Sequence, residues 1–240
     1  LLPNGRRIFN VAIRTIQLHQ GKAIYGVGGG ITWDSTWESE YREVHQKAAV
    51  LYRKQARFQL ITTGKISQKS LLFENQHIER LIKASRYFSY PFDAEYLKKK
   101  IEEECRACDI NQDYRLRISL SKSGKIELSR QILTPLTLTF CKAKICLQEA
   151  NLQQAFTYFK TTHRPHLSLG EQEEIYHNTK GELLETSIGN LVLKIAGKLY
   201  TPPIRLGILP GIYRQHLLET GQVEEKVLTL ADLAQAEAIY

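Results

Sequence analysis

Four stretches of this 240-residue sequence carry residue types spaced for anion or metal chemistry. In GVGGGITWDS, Gly28, Gly29 and Gly30 form a turn without side chains, whose backbone N–H groups can approach an anion closely. Arg14, in the preceding FNVAIRT, offers a planar fork that fits a carboxylate bidentately. In ESEYREVHQKA, Glu40 and Glu43 stand at i,i+3 on one face of a predicted helix, a hard oxygen pair suited to Mg²⁺. Far downstream, GILPGIYR is a Gly-permitted loop whose Ile212 and Tyr213 amides open a predicted helix, a natural anion site. The four cysteines read otherwise. Cys105 and Cys108 close an amphipathic helix, Cys141 and Cys146 flank a strand pattern, and neither pair has the Gly-rich turns of a zinc knuckle. They read as reduced thiols, and a cytoplasmic location is the matching expectation.

These groups need a scaffold, and the chain has the means to build one. Hydrophobic residues make up 42% and charged residues 24%, ordinary globular usage that excludes disorder, collagen and coiled coil. No apolar run approaches the roughly 20 residues of a membrane span, and LLPNGRRIFN lacks the apolar core of a secretory signal. The net charge of +8 fits small anionic ligands. The basic residues are too scattered for a nucleic-acid groove, and the densest run, Lys98–Lys100, is answered at once by Glu102–Glu104 on one solvated helix. No Met occurs, which reads either as an internal piece of a longer chain or as a sequence from which Met positions are missing, so contiguous motifs weigh more than long spacings.

The pattern falls into three blocks. Residues 1–54 hold an alternating strand, RIFNVAIRTIQL, the glycine turn and a helix. Residues 55–147 start with ARFQLITTGKI and SLLF as strands around a Gly turn. Two helices follow, the first with Ile78, Leu81, Ile82, Ser85 and Phe88 on one stripe, the second with Leu97, Ile101, Cys105 and Cys108. Strands RLRISLS, ILTPLTLTF and KAKICL complete the block. Residues 148–240 hold the polar FKTTHRPH, two hairpin patterns with a turn at Gly197, and the GILPGIYR loop opening a helix.

FNVAIRT, GVGGGITWDS and ESEYREVHQKA, in that order, resemble the C-terminal end of the chorismate-utilising enzymes. The resemblance implies that Arg14, Gly28, Gly29, Gly30 and Lys47 touch chorismate and that Glu40 or Glu43 holds Mg²⁺ in a complete domain. Only the tail of that domain is present, so no chorismate conversion by this piece is expected.

From about residue 57 onward, LLFENQHIERLIKASRYF, FKTTHRP, GELLETSIGNLVL and YTPPIRLGILPGIYRQHLL resemble the class IV aminotransferase family of pyridoxal-phosphate (PLP) enzymes. The resemblance implies that Lys160 bonds the cofactor aldehyde and shuttles a proton. Glu185 would pair with the pyridine nitrogen, and Arg80, Ser187, Ile188, Ile212 and Tyr213 would contribute to the phosphate site. One departure stands out: the family often carries a Tyr a few residues after the lysine, whereas here Thr161, Thr162, His163, Arg164, Pro165 and His166 follow. The family's phosphate-binding hydroxyl residue also falls after the segment that ends at AEAIY.

The implied fold class is α+β. A class IV PLP aminotransferase-like two-domain fold, small domain 55–147 and large domain 148–240, follows the C-terminal remnant of a chorismate-binding α/β domain at 1–54. The two resemblances in one chain imply a bifunctional arrangement of aminodeoxychorismate synthase component I with aminodeoxychorismate lyase, on the way to 4-aminobenzoate and folate. The expected partners are the small molecules aminodeoxychorismate and chorismate, a second copy in a homodimer, and a glutamine amidotransferase subunit, with neither nucleic acid nor membrane. A branched-chain or D-amino-acid aminotransferase and a non-catalytic interaction module are the alternatives.

Overall fold

The computed structural model of the chain describes residues 15–52, 56–134, 141–148, 154–168, 170 and 172–240. The chain divides into two compact units, one reaching residue 56 and one of residues 57–240.

In the first unit, β1 (Ile16–His19) and β2 (Lys22–Tyr25) form an antiparallel hairpin. The glycine turn leads to α1 (Trp37–Tyr52), which has Glu38 and Glu40 in its first turn, where the helix dipole favours acids. No residue of α1 is buried. The FNVAIRT segment, Arg14 included, lies outside the described residues.

The second unit begins with β3 (Leu60–Ser67) and β4 (Ser70–Leu71). Its helices α2 (Glu74–Phe88) and α3 (Ala94–Arg106) bury the expected apolar faces, with Leu81, Leu97 and Ile101 almost inaccessible. Then come β5 (Tyr114–Leu120) and β6 (Ile126–Ile132), giving a sheet of order β4-β3-β5-β6. Alternation along β5 sends Leu116, Ile118 and Leu120 into the core and Arg115 and Arg117 to the other face. One expectation is corrected here. The strand runs straight through Gly64, and the turn is at Gln68 and Lys69, both with positive φ. Gly64 serves close packing instead: a Cβ there would lie 2.6 Å from the His77 ring and 2.7 Å from Leu71.

The rest of this unit is β7 (Ala143–Leu147), α4 (Gln154–Tyr158), β8 (Glu173–His177), β9 (Leu183–Thr186), β10 (Leu193–Ile195), β11 (Lys198–Thr201), α5 (Ile212–Glu219), β12 (Glu224–Glu225), α6 (Leu230–Gln235) and β13 (Ala238–Ile239). They form sheets of order β7-β8-β9 and β12-β11-β10-β13. The hairpin at Ala196–Gly197 has positive φ at both turn residues, as a tight two-residue connection requires. Much of ILTPLTLTF lies outside the described residues. Among the described residues no helix is long and apolar enough to cross a membrane.

Candidate active site

Residues from well-separated parts of the second unit line one cleft of about 810 Å³, in the size range of small-molecule sites. Lys160, Arg80, Glu185, Ile188, Ile212 and Tyr213 all face it. Ser187 does not: it is buried, and its hydroxyl accepts the Glu174 amide at 2.9 Å.

Lys160 follows α4 and is stitched to the start of β3. Its carbonyl accepts the Ile61 amide at 2.9 Å, and the Thr162 amide bonds the Gln59 carbonyl at 2.9 Å. The antiparallel bridge Leu60–Thr161 sets residue 160 opposite Ile61, so its side chain leaves on the same sheet face as Thr63, Arg115 and Arg117. Burial lowers the Lys160 amine to about 8, helped by the positive charges of Arg80 and Arg164 and only partly offset by Glu185.

Glu185, on β9, is buried, and burial raises its carboxyl to about 7 against the opposing pull of Arg164. One oxygen, Oε2, accepts the Leu209 amide at 3.3 Å, while Oε1 has no partner among the described residues. A buried orphan acceptor is costly, and here it marks the place where a ligand donor belongs.

The loop before α5 is held by three cleft residues. Glu185 takes the Leu209 amide, Asn190 Nδ2 donates to the Leu209 carbonyl at 2.8 Å, and Arg80 donates to the Pro210 carbonyl at 2.7 Å. Gly211 is the helix N-cap, and a Cβ there would fall 1.9 Å from Asn190 Oδ1. The free amides of Ile212 and Tyr213 open the helix beside Arg80, a cradle for a phosphate. Arg80 itself drops to about 10 through burial and the neighbouring charge of Arg164.

Sequence reasoning gave no role to Asn190 or His77. The His77 ring is buried one turn before Arg80, bonds Thr62 Oγ1 at 2.6 Å, and is held neutral, with its pKa down to about 4, by burial and by Arg80 and Lys160. Its i,i+3 spacing from Arg80 was the available signal. Of His163, Arg164 and His166, which follow Lys160, only Arg164 lines the cleft. His163 packs edge-on against Phe156, and His166 is buried.

In the first unit, Lys47 Nζ donates to the Gly28 carbonyl at 2.8 Å and pairs with Glu43 at 2.6 Å. Glu40 takes the Ser35 hydroxyl at 2.7 Å and approaches Gly29, whereas a Cβ at Gly30 would meet no atom of the described residues within 4 Å. Gly28, Gly29, Glu40, Glu43 and Lys47 therefore converge. Glu43 is paired with Lys47 and Glu40 with Ser35, and no group of three or more His, Cys, Asp or Glu side chains that could hold a metal ion occurs among the described residues.

Comparison with known proteins agrees with this geometry. The family model for amino-transferase class IV matches residues 59–240. The chain belongs to the class IV aminotransferases. Residues 1–53 match the model for chorismate binding enzymes. A candidate branched-chain-amino-acid aminotransferase of Thermotoga maritima is 21% identical over 223 residues, covering 85% of this chain and 81% of that protein. A candidate aminodeoxychorismate lyase of Schizosaccharomyces pombe is 24% identical over 163 residues, covering 62% and 68%. Among solved structures, a candidate 4-amino-4-deoxychorismate lyase from Haemophilus somnus superposes with a TM-score of 0.61 at 22% identity, covering 78% of this class IV chain and 96% of its own. A candidate amino-acid aminotransferase from Mesorhizobium loti gives 0.63 at 25%, covering 76% and 92%.

Proposed function

We propose that residues 57–240 form a PLP-dependent 4-amino-4-deoxychorismate lyase that expels pyruvate to leave 4-aminobenzoate, in a bifunctional chain on the folate route. The observation that carries the choice of substrate is the fusion itself: a chorismate-enzyme segment at 1–53 precedes a class IV unit at 59–240. In this reading residues 55–147 and 148–240 are the two lobes of the lyase, the chain works as a cytoplasmic homodimer, and the complete synthase half draws ammonia from a glutamine amidotransferase.

PLP fits the residues present. The cleft offers an amine, an orphan carboxylate oxygen and a phosphate cradle in one place. When bound, PLP supplies an electron sink for the negative charge that develops on the substrate carbon bearing nitrogen. Arg80 and the Ile212 and Tyr213 amides would hold the phosphate, and Ile188 lines the same cleft. Glu185 Oε1 accepts a hydrogen bond from a protonated ring nitrogen. The Lys160 amine, neutral for a useful fraction of molecules near pH 7.5 because of its lowered pKa, would be the group that bonds the cofactor aldehyde. With the substrate amine in the cleft, Lys160 Nζ would be the base that takes the proton from the carbon bearing nitrogen. Returned to the enolpyruvyl carbon, that proton completes the departure of pyruvate as the ring becomes aromatic.

Pyruvate release from aminodeoxychorismate, coupled to lactate dehydrogenase, tests this directly. Wild-type protein is expected to release pyruvate and Lys160→Ala to release none, with borohydride trapping of the cofactor lost in the same variant. Activity in Lys160→Ala ends the proposal. The similarity to the Thermotoga aminotransferase over 85% of the chain supports a second reading, transamination. That reading requires amino transfer from a branched-chain amino acid to an α-keto acid, without pyruvate from aminodeoxychorismate.

A further inference from the structure

The polar face of the β3-β5-β6 sheet carries more positive charge than its own structure uses. Strand alternation and register place Thr63 and Lys65 of β3, Arg115 and Arg117 of β5, and Ser129 and Gln131 of β6 on that face. The basic residues of these strands differ sharply in their partners. Lys65 is neutralised by Asp113 at 2.5 Å. Arg130, which points to the other face, pairs with Glu104 at 3.0 Å and bonds its carbonyl at 2.8 Å. Arg115 and Arg117 have no hydrogen-bond or ion-pair partner among the described residues. The acidic side chain on this face at Glu127 is taken by Lys125 at 2.6 Å.

Two guanidinium groups two residues apart on one pleat, about 7 Å along the strand, with Arg115 exposed and Arg117 half-buried, can close on an anion from one side. Together with Ser129 and Gln131 they line a recess of about 240 Å³. Arg115 lines both this recess and the Lys160 cleft. The recess is therefore next to the reactive amine. Residue 160 lies beside β3 and Arg117 one strand beyond, so two strand spacings, about 10 Å, separate their backbones. That separation leaves room for a ring-sized ligand that carries its reacting nitrogen and its acid group at opposite ends.

We propose that Arg115, Arg117, Ser129 and Gln131 form a carboxylate-binding recess that receives the acid group of the substrate farthest from its amine. The recess rests on the lyase reading for the identity of that substrate, but its chemistry, a planar carboxylate met by two forked cations and two neutral polar groups, is independent of it. Its work is selection of acidic ring amines over neutral ones.

The test uses the cofactor-loaded full chain and two probes: 4-aminobenzoate, with a carboxylate opposite its amine, and aniline, without one. Wild type is expected to bind 4-aminobenzoate at least tenfold more tightly than aniline by calorimetry. Arg117→Gln should remove most of that preference while aniline binding stays within twofold, Arg115→Gln should also reduce the preference, and Arg117→Lys should restore part of it. Thermal unfolding of each variant establishes that it is folded. A preference that persists in both Gln variants, or its absence from wild type, overturns the recess. Pyruvate release on the same preparations separates the two ideas. Preference lost in the variants without pyruvate from wild type sinks the lyase reading and keeps the recess. Pyruvate released with KM unchanged in Arg117→Gln keeps the lyase and sinks the recess.

Discussion

Lys160 and Glu185 are both pushed toward neutrality by burial, from opposite starting charges. For Lys160 the neutral amine is the reactive form, so cofactor capture by the apo-protein should accelerate as pH rises toward and through about 8. Arg80 and Arg164 help to lower that value. Removing the charge at Arg164 should therefore raise it, and the midpoint of the capture rate against pH should move upward in Arg164→Gln. An unchanged midpoint would mean that burial alone sets the amine. Glu185→Gln keeps the shape but cannot hold a protonated ring nitrogen as an ion pair. It should still bind the cofactor, while turnover falls roughly 100-fold, as measured by the pyruvate assay with cofactor saturation checked spectrally.

At the scale of elements, the decisive piece is the short loop into α5. Its three fixings, from Glu185, Asn190 and Arg80, come from β9, the stretch after β9, and α2. A methyl group at Gly211 would collide with Asn190 Oδ1, so either the loop or Asn190 must move. Overpacking of this kind costs about 1–3 kcal/mol, and Gly211→Ala should lose cofactor affinity about tenfold or more. If the collision is the cause, Asn190→Ala should cost less in the Gly211→Ala background than in wild type, a coupling that a double-mutant cycle of cofactor dissociation constants reads directly. The glycines in this sequence differ in what they do. Gly211 makes room beside a side chain, and Gly64 makes room beside a histidine inside a strand, which is why its neighbourhood was misread as a turn. A side chain brought from a distant segment leaves no local mark on the sequence next to the glycine.

For the molecule as a whole, the buried titratable groups give stability a defined pH dependence. His77 and His166 are held neutral, each down to about 4 from 6.5. Their contribution is complete above pH 6.5 and is lost as pH falls toward 4, on the order of 3 kcal/mol for each ring. Glu185 works the other way. Its carboxyl is raised to about 7, so its contribution is complete below 4.5 and is lost as pH climbs to 7. Two groups against one leaves a net loss on acidification from 6.5 to 4.5. Urea unfolding at those two pH values should show it, and the decline should be steeper in Glu185→Gln, where the opposing group is absent. Lys160 adds little in that window, because its contribution is already gone below about 8.

Much of this protein was legible in the order of its residues. Helices α2 and α3 follow from apolar spacing at 3.6 residues, the hairpin at Gly197 from its turn chemistry, and the family from four ordered motifs around Lys160 and Glu185. Those signals are local, carried by neighbours in the chain or by contiguous motifs. The convergence of residues 80, 160, 185 and 212 on one cleft is a different kind of fact. So are the orphan oxygen of Glu185, the fixing of the Leu209–Gly211 loop by Asn190, and the unpaired Arg115 and Arg117 above their polar recess. Each depends on strand register and on which charges meet a partner across the fold. Packing of distant segments settles both, which is why only the tertiary structure could decide them.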